Sequence, residues 1–268
     1  MILIQDLKGD EKKELLQVLY EEEIFYTVLI EHIESNYLKR CYIQRERGVI
    51  NSILNINNEG NSLFTTFWVR KRDELQIIAN QLRSLKYGTL LLAGKKDEIR
   101  EVLSYLRIER EIHADLCFVY NDNSPLVPQS NGIRKAQINE EDMYYIRKFY
   151  IDFFQLDNEE LQNEIVKKEK IEGDIKKGLY FIIENNVPIG MGRYGSMTRN
   201  HIELTTIYIQ SEFRGQGYGR QLLIGLVQSC LEKGKTPILQ TSSENLKARS
   251  LYERIGFVFC GEYSFEFI

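Results

Sequence analysis

The stretch Ile202–Leu226, IELTTIYIQSEFRGQGYGRQLLIGL, decides how the rest of the chain is read. It opens with β-branched and aromatic residues in alternation, with Ile202, Leu204, Thr206 and Tyr208 on one side and Thr205, Ile207 and Ile209 on the other. That pattern predicts a strand covered on both faces. A short polar connector, Gln210–Phe213, leads into Arg214-Gly215-Gln216-Gly217-Tyr218-Gly219, and Arg220 to Val227 then repeats apolar residues at helical spacing. The order is strand, glycine turn, helix.

That order suits an anion. The first N–H groups of a helix have no partner within it, and the helix dipole puts partial positive charge there. Glycine permits positive φ and leaves no Cβ in the path of a phosphate, with Arg214 and Arg220 at hand as counter-charges. A purely structural turn would use the same glycines. No Gly-Lys-Ser/Thr tripeptide follows, and Arg220 stands where a dinucleotide fingerprint needs its third glycine. Neither an ATP loop nor a dinucleotide site is expected.

Arg214, Gly217 and Gly219 after a strand form Arg-x-x-Gly-x-Gly, which resembles the pyrophosphate motif of the GCN5-related N-acetyltransferases. Downstream, Asn245, Ala248, Tyr252, Gly256 and Phe257 follow the Asn-x-x-Ala-x-x-x-Tyr-x-x-x-Gly-Phe signature of the same superfamily. The branch it most resembles is that of the two-lobed glycine N-acyltransferase-like (FR47-like) members. The resemblance covers roughly residues 132–268. It implies an α/β (α+β) fold of two tandem lobes, each a mixed, mostly antiparallel sheet flanked by helices. Acetyl-CoA would be the acyl donor, held by the backbone of Tyr208 and Ile209, by Arg214, Gly215, Gln216, Gly217, Tyr218, Gly219 and Arg220, and by Asn245. Tyr252 would protonate the departing thiolate. For the base, Glu203 is the best-placed carboxylate, with a solvated strand-end charge as its plainer reading; His201 beside it falls in an apparent turn. The implied reaction is direct acetyl transfer to a primary amine of a small molecule, amino acid or peptide. A non-catalytic acyl-CoA sensor, or transfer of a longer acyl group, is the competing expectation.

Working outward, the twelve-residue run from Asn121 to Gly132 holds Pro125 and Pro128 among asparagines and serines, as a connector does. Five glycines precede it, Gly132 closes it and twelve follow. The expected division is residues 1–124, a linker 125–131, and 132–268. The first half repeats the order of the second: helices at Glu11–Tyr20 and Ile24–Tyr37, alternating segments at Arg47–Asn57 and Ser62–Val69, a helix opened by Asp73, then strand, helix and strand. After Val69 stands Arg-Lys-Arg-Asp with no glycine, so this lobe is expected to be a degenerate copy that binds no coenzyme.

In the second half Asn139 should cap a helix, and the aromatic run Tyr144–Phe154 divides between core and an acceptor-pocket wall. A hydrophobic fraction of 43%, with 28% charged residues, fits a folded globular chain. The net charge of −4 argues against broad nucleic-acid binding. No apolar run suits a membrane span or leader, so a cytoplasmic protein, monomeric or homodimeric, is expected. The four cysteines, Cys41, Cys117, Cys230 and Cys260, lack paired spacing and read as buried thiols; no metal site is expected.

Overall fold

A computed structural model describes residues 1–4, 7, 9–59, 62–85, 89–121, 132–155 and 159–268. The expected linker and its two prolines lie outside the described residues. The first half runs β1 (Ile2–Ile4), α1 (Gly9–Tyr20), α2 (Glu23–Glu34), β2 (Arg40–Glu46), β3 (Val49–Glu59) and β4 (Ser62–Val69). It continues with α3 (Leu75–Ser84), β5 (Leu90–Lys95), α4 (Lys96–Leu106) and β6 (Asp115–Tyr120). The second half begins β7 (Ile133–Lys135), α5 (Glu140–Phe154), α6 (Glu159–Ile165), α7 (Lys168–Gly178), β8 (Leu179–Glu184) and β9 (Val187–Met197). Then come β10 (His201–Ile209), α8 (Tyr218–Leu231), β11 (Thr236–Ser242), α9 (Leu246–Ile255) and β12 (Phe257–Phe267).

These elements form two compact units. One holds residues 1–117 together with 241–245 and 260–268; the other holds 118–240 and 246–259. In the first unit β1 to β4 pair antiparallel, β4 and β5 pair parallel across α3, and Tyr263–Phe267 of β12 pairs antiparallel with Lys95–Leu91. In the second unit β7 to β10 pair antiparallel, and β10 and β11 pair parallel across α8. Both are therefore mixed, mostly antiparallel sheets with helices on their faces, as the family resemblance implied.

Alternation decides which face each strand residue covers. In β3, Ile53 packs with Leu15, Leu19, Leu29 and Ile30 of α1 and α2, while its neighbour Leu54 packs with Ile78, Leu82 and Val102 of α3 and α4. In the second unit Met143, Ile146, Phe149 and Tyr150 of α5 close over Phe181, Met191 and Tyr208 together with Ile171 and Ile175 of α7. Asn139 caps α5 as expected, its side chain accepting the Asp142 N–H at 2.8 Å. Asp73 does not cap α3: a short 3₁₀ turn spans Arg72–Glu74 and the α-helix starts at Leu75 without a side-chain cap. The charged segment after α5 forms two helices, α6 and α7. Cys41, Cys117 and Cys230 are buried free thiols, and Cys260 is half-buried.

The two units part company at the end of the strand before the crossover helix. In the first, β4 pairs with β3 without a break from Val69 to Ser62, and the Phe67 ring lies against Gly94, where a Cβ would come within 3.2 Å of it. No glycine turn follows. In the second, β10 is broken twice against β9, as described below.

Gly190 is fixed by the close pairing of β9 with β10: a Cβ there would stand 2.4 Å from the Tyr208 carbonyl oxygen and 2.6 Å from Ile209 Cδ1. Gly190→Ala should therefore destabilise the protein by about 1–3 kcal/mol, as overpacking does, read from urea denaturation midpoints. The Arg134 guanidinium offers a pH test. It makes two 2.7 Å bonds to the buried Asp142 carboxylate, which also accepts the Gln137 N–H. Burial raises the Asp142 pKa, but these hydrogen bonds outweigh it and hold the carboxyl below its ordinary value. The stability this confers is present above the unfolded carboxylate pKa and lost as pH falls through the lower folded value. Asp142→Asn should flatten the acid limb of the stability–pH curve.

Candidate active site

The site is built on β10. Between the pairs Ile202↔Met197 and Leu204↔Tyr194, two steps on β10 face three on β9. The excess of β9 is Gly195–Ser196, and the Glu203 side chain fills it: Glu203 Oε2 accepts the Ser196 N–H at 3.0 Å and the Ser196 hydroxyl at 2.9 Å. Gly195 leaves room for this, since a Cβ would lie 2.5 Å from that same oxygen. Between Thr205↔Arg193 and Tyr208↔Met191 the imbalance reverses, three steps on β10 facing two on β9. The extra residue is accommodated at Thr206, whose φ is +53°.

The parallel pairing of β10 with β11 runs from His201↔Thr236 to Leu204↔Leu239 and stops there, although β10 continues to Ile209. The irregularity at Thr206 lies just beyond the point where β10 leaves its neighbour. Among the described residues the backbone edge beyond Leu204 has no strand partner on the β11 side, which is what an added extended ligand needs.

The glycine turn follows. Gly215 and Gly217 have φ of +77° and +90°, and a Cβ on either would meet nothing within 4 Å. Glycine is thus required by conformation, while the space above the turn is open. Gly217 caps α8 without any side-chain hydrogen bond, leaving the first N–H groups of the helix unclaimed by a capping side chain. Arg214 lies across the end of β10: its Nε donates to the Ile209 carbonyl at 2.8 Å and its guanidinium stands 5.6 Å from the Tyr208 ring centroid. Arg220 and Gln216 are exposed, with Gln216 Nε2 donating to the Glu212 carbonyl at 3.0 Å. Tyr218 hydrogen-bonds Glu184, which raises its pKa, and its ring meets Phe213 edge-on at 6.1 Å. The turn therefore has the shape and donors to hold a diphosphate.

Tyr252 lies on α9 and is buried. Its ring meets Phe118 at 6.0 Å and Phe257 at 6.1 Å, and burial pushes its phenol up to about 12. It is a protonated donor across the physiological range. The helix begins at Leu246, so Asn245 stands just ahead of it, and its N–H donates to the Ser242 carbonyl at 3.0 Å. Among the described residues no hydrogen bond joins Glu203 to Tyr252.

Sequence reading missed a buried polar set on the α5–α7 face of the same strand. Asp174 of α7 accepts from the Tyr150 hydroxyl at 2.6 Å, from Lys170 Nζ at 3.0 Å and from Arg193 Nη1 at 3.3 Å. Arg193 Nε reaches Thr206 Oγ1 at 3.1 Å. Asp174 is one acid in a charged helix and Arg193 follows two glycines, so neither stands out by spacing. Nearby, the Tyr208 hydroxyl donates to Asp152 at 3.0 Å; burial first, and that bond second, lift its phenol to about 12. A cavity of about 450 Å³ opens beside α5, walled in part by Tyr144, Tyr145, Lys148, Glu184, Gln210 and Phe213. Among the described residues no cluster of His, Cys, Asp and Glu could hold a metal ion, and no helix is long and apolar enough to cross a membrane.

Comparison with known proteins agrees with this geometry. The family model described as Acetyltransferase (GNAT) family matches residues 142–257. No curated protein matches the sequence. Among solved structures, a Drosophila protein superposes with a TM-score of 0.71 at 12% identity, covering 99% of this chain and 97% of its own. A tandem GNAT protein from the clavulanic acid biosynthesis pathway gives 0.64 at 10% identity, covering 100% and 97%. A GNAT-family acetyltransferase from Colwellia psychrerythraea gives 0.61 at 13% identity, with 100% of both chains covered. At such identities the likeness establishes the fold, over the full length of the chain. Residues 142–257 thus match the GNAT acetyltransferase family model, and the open glycine turn and the strand before it both lie within that matched segment.

Proposed function

We propose that this protein is an N-acetyltransferase that moves the acetyl group of acetyl-CoA to a primary amine of a small molecule, amino acid or peptide, by direct attack within a ternary complex. The observation that carries this reading is the end of β10: among the described residues it has no β11 partner beyond Leu204, and it runs on into a glycine turn whose outer space is open. The Tyr208 and Ile209 backbone would take the pantetheine arm as an added strand. Gly215, Gln216, Gly217, Tyr218 and Gly219 would offer N–H groups to the diphosphate, with Arg214 and Arg220 neutralising it and Asn245 contacting the arm. When bound, the coenzyme supplies an acetyl thioester.

The chain's own groups handle the protons. Glu203 Oε2 accepts two hydrogen bonds from Ser196, and its other oxygen would accept the ammonium proton of the acceptor, directly or through water. The freed amine would form the C–N bond, its nitrogen giving up its second proton to water as the C–S bond breaks, and the thiolate would leave beside Tyr252. A phenol at about 12 facing a thiol of ordinary pKa, about 8.5, would surrender its proton uphill by roughly 5 kcal/mol. Tyr252 therefore acts first as a hydrogen-bond donor that stabilises the thiolate, and full transfer is completed with its protonation from water. The aromatic cavity beside α5 is the proposed seat of the acceptor. The first unit, with its unbroken β4 and Phe67 against Gly94, takes no coenzyme in this scheme. The protein is proposed to work in the cytoplasm as a monomer or homodimer, without metal, nucleic acid or membrane.

Release of free thiol from acetyl-CoA across a panel of amines tests the reaction: amine-dependent release is expected, and coenzyme binding without turnover on any amine would replace catalysis with sensing. Gly217→Val places a β-branched side chain in the diphosphate path and at a φ it resists. Calorimetry should show acetyl-CoA affinity lowered at least ~100-fold, the loss of several charge-assisted bonds; unchanged affinity would remove the loop from the site. Tyr252→Phe should lower kcat by about 10²-fold while leaving coenzyme affinity nearly intact. Full activity in that variant would reduce Tyr252 to packing.

A further inference from the structure

We propose that Arg193 and Asp174 are positioning residues that hold the left-handed backbone at Thr206 and so keep the coenzyme-binding end of β10 in its working register; the functional part of this rests on the acetyl-transfer reading. Thr206 is buried and β-branched, and its φ of +53° is one that such residues resist. Something must hold it there. One guanidinium spans the distortion: Arg193 Nε donates to Thr206 Oγ1 at 3.1 Å and Nη1 donates to the Tyr194 carbonyl at 3.2 Å, one partner on each strand.

The guanidinium is itself anchored to the helices. Nη1 also reaches Asp174 Oδ1 at 3.3 Å, and Asp174 Oδ2 accepts from Tyr150 of α5 and Lys170 of α7. Arg193 and Asp174 side chains are only 17% and 12% exposed, so the pair is shielded from competing water. Buried ion pairs contribute little net stability, and apolar replacements of similar size often match them. Their use here is to select one backbone conformation.

The consequence for the site is geometric. If the bulge relaxed, β10 would move by one residue against β9, and a one-residue slip turns every side chain to the opposite face. Tyr208 would leave the α5 face, where it packs against Phe149 and bonds Asp152, and the backbone of Tyr208 and Ile209 would present different groups toward β11.

The test uses Arg193→Met, which keeps bulk and removes the donors, and the double variant Arg193→Met/Thr206→Gly. Glycine takes positive φ without a brace. In threonine-labelled protein, the Thr206 Cα and Cβ chemical shifts should move from left-handed toward extended values in Arg193→Met. Calorimetry with acetyl-CoA should show about tenfold or greater weakening, matching the cost of an unsupported positive φ. The double variant should recover to within about threefold of wild type. Should Arg193→Met fail to fold, Arg193→Lys is read the same way, with a smaller shift expected. Unchanged Thr206 shifts and affinity in a folded variant would overturn the proposal, as would a double variant no better than the single. If the wild type binds no acetyl-CoA, the acetyl-transfer reading fails on its own, and the Thr206 shifts still decide whether the brace exists.

Discussion

A strand that parts from its neighbour before it ends is the constraint on which the site depends. β10 stays paired with β9 through two compensating irregularities, while its parallel pairing with β11 stops at Leu204. A β-strand edge left unpaired exposes N–H and C=O groups whose hydrogen bonding must be completed by water or a ligand. Placing the open glycine turn directly after that edge aligns main-chain donors for a linear molecule with an anionic middle.

The first unit shows what the same strand plan becomes without those devices. Its β4 and β5 also pair in parallel over four positions, Leu63↔Leu90 to Thr66↔Ala93. Yet β4 has no bulge, Phe67 packs against Gly94, and the chain leaves β4 through exposed Arg70 and Lys71 into a 3₁₀ turn. An aromatic ring fills space that the second unit leaves to backbone alone. At this point the two units thus differ by a bulge, a ring and a few glycines.

Much of this was legible in the sequence because it rests on local rules. The alternation of Ile202–Ile209, the glycines after it and the helical repeat from Arg220 each carry their own signal, and Asn139 announced its cap. What stayed hidden depends on tertiary pairing. The +53° φ of Thr206 is written nowhere in its own identity, since threonine ordinarily favours extended backbone. Glu203 reads as a possible base or a solvated charge, and only the register of β9 shows its oxygen bonded to Ser196. Asp174 and Arg193 are distant in sequence and meet through the fold. The short β1, the β2 strand and the return of β12 to pair with β5 carry too little local pattern to be placed in advance.

Amide hydrogen exchange with and without acetyl-CoA addresses the central claim residue by residue. Protection should appear at the backbone of Tyr208 and Ile209 and across Gly215–Gly219, with the end of β4 in the first unit unchanged. Exchange at those positions that stays the same at saturating coenzyme, or protection that falls elsewhere, would contradict a site formed by the splayed strand and its glycine turn.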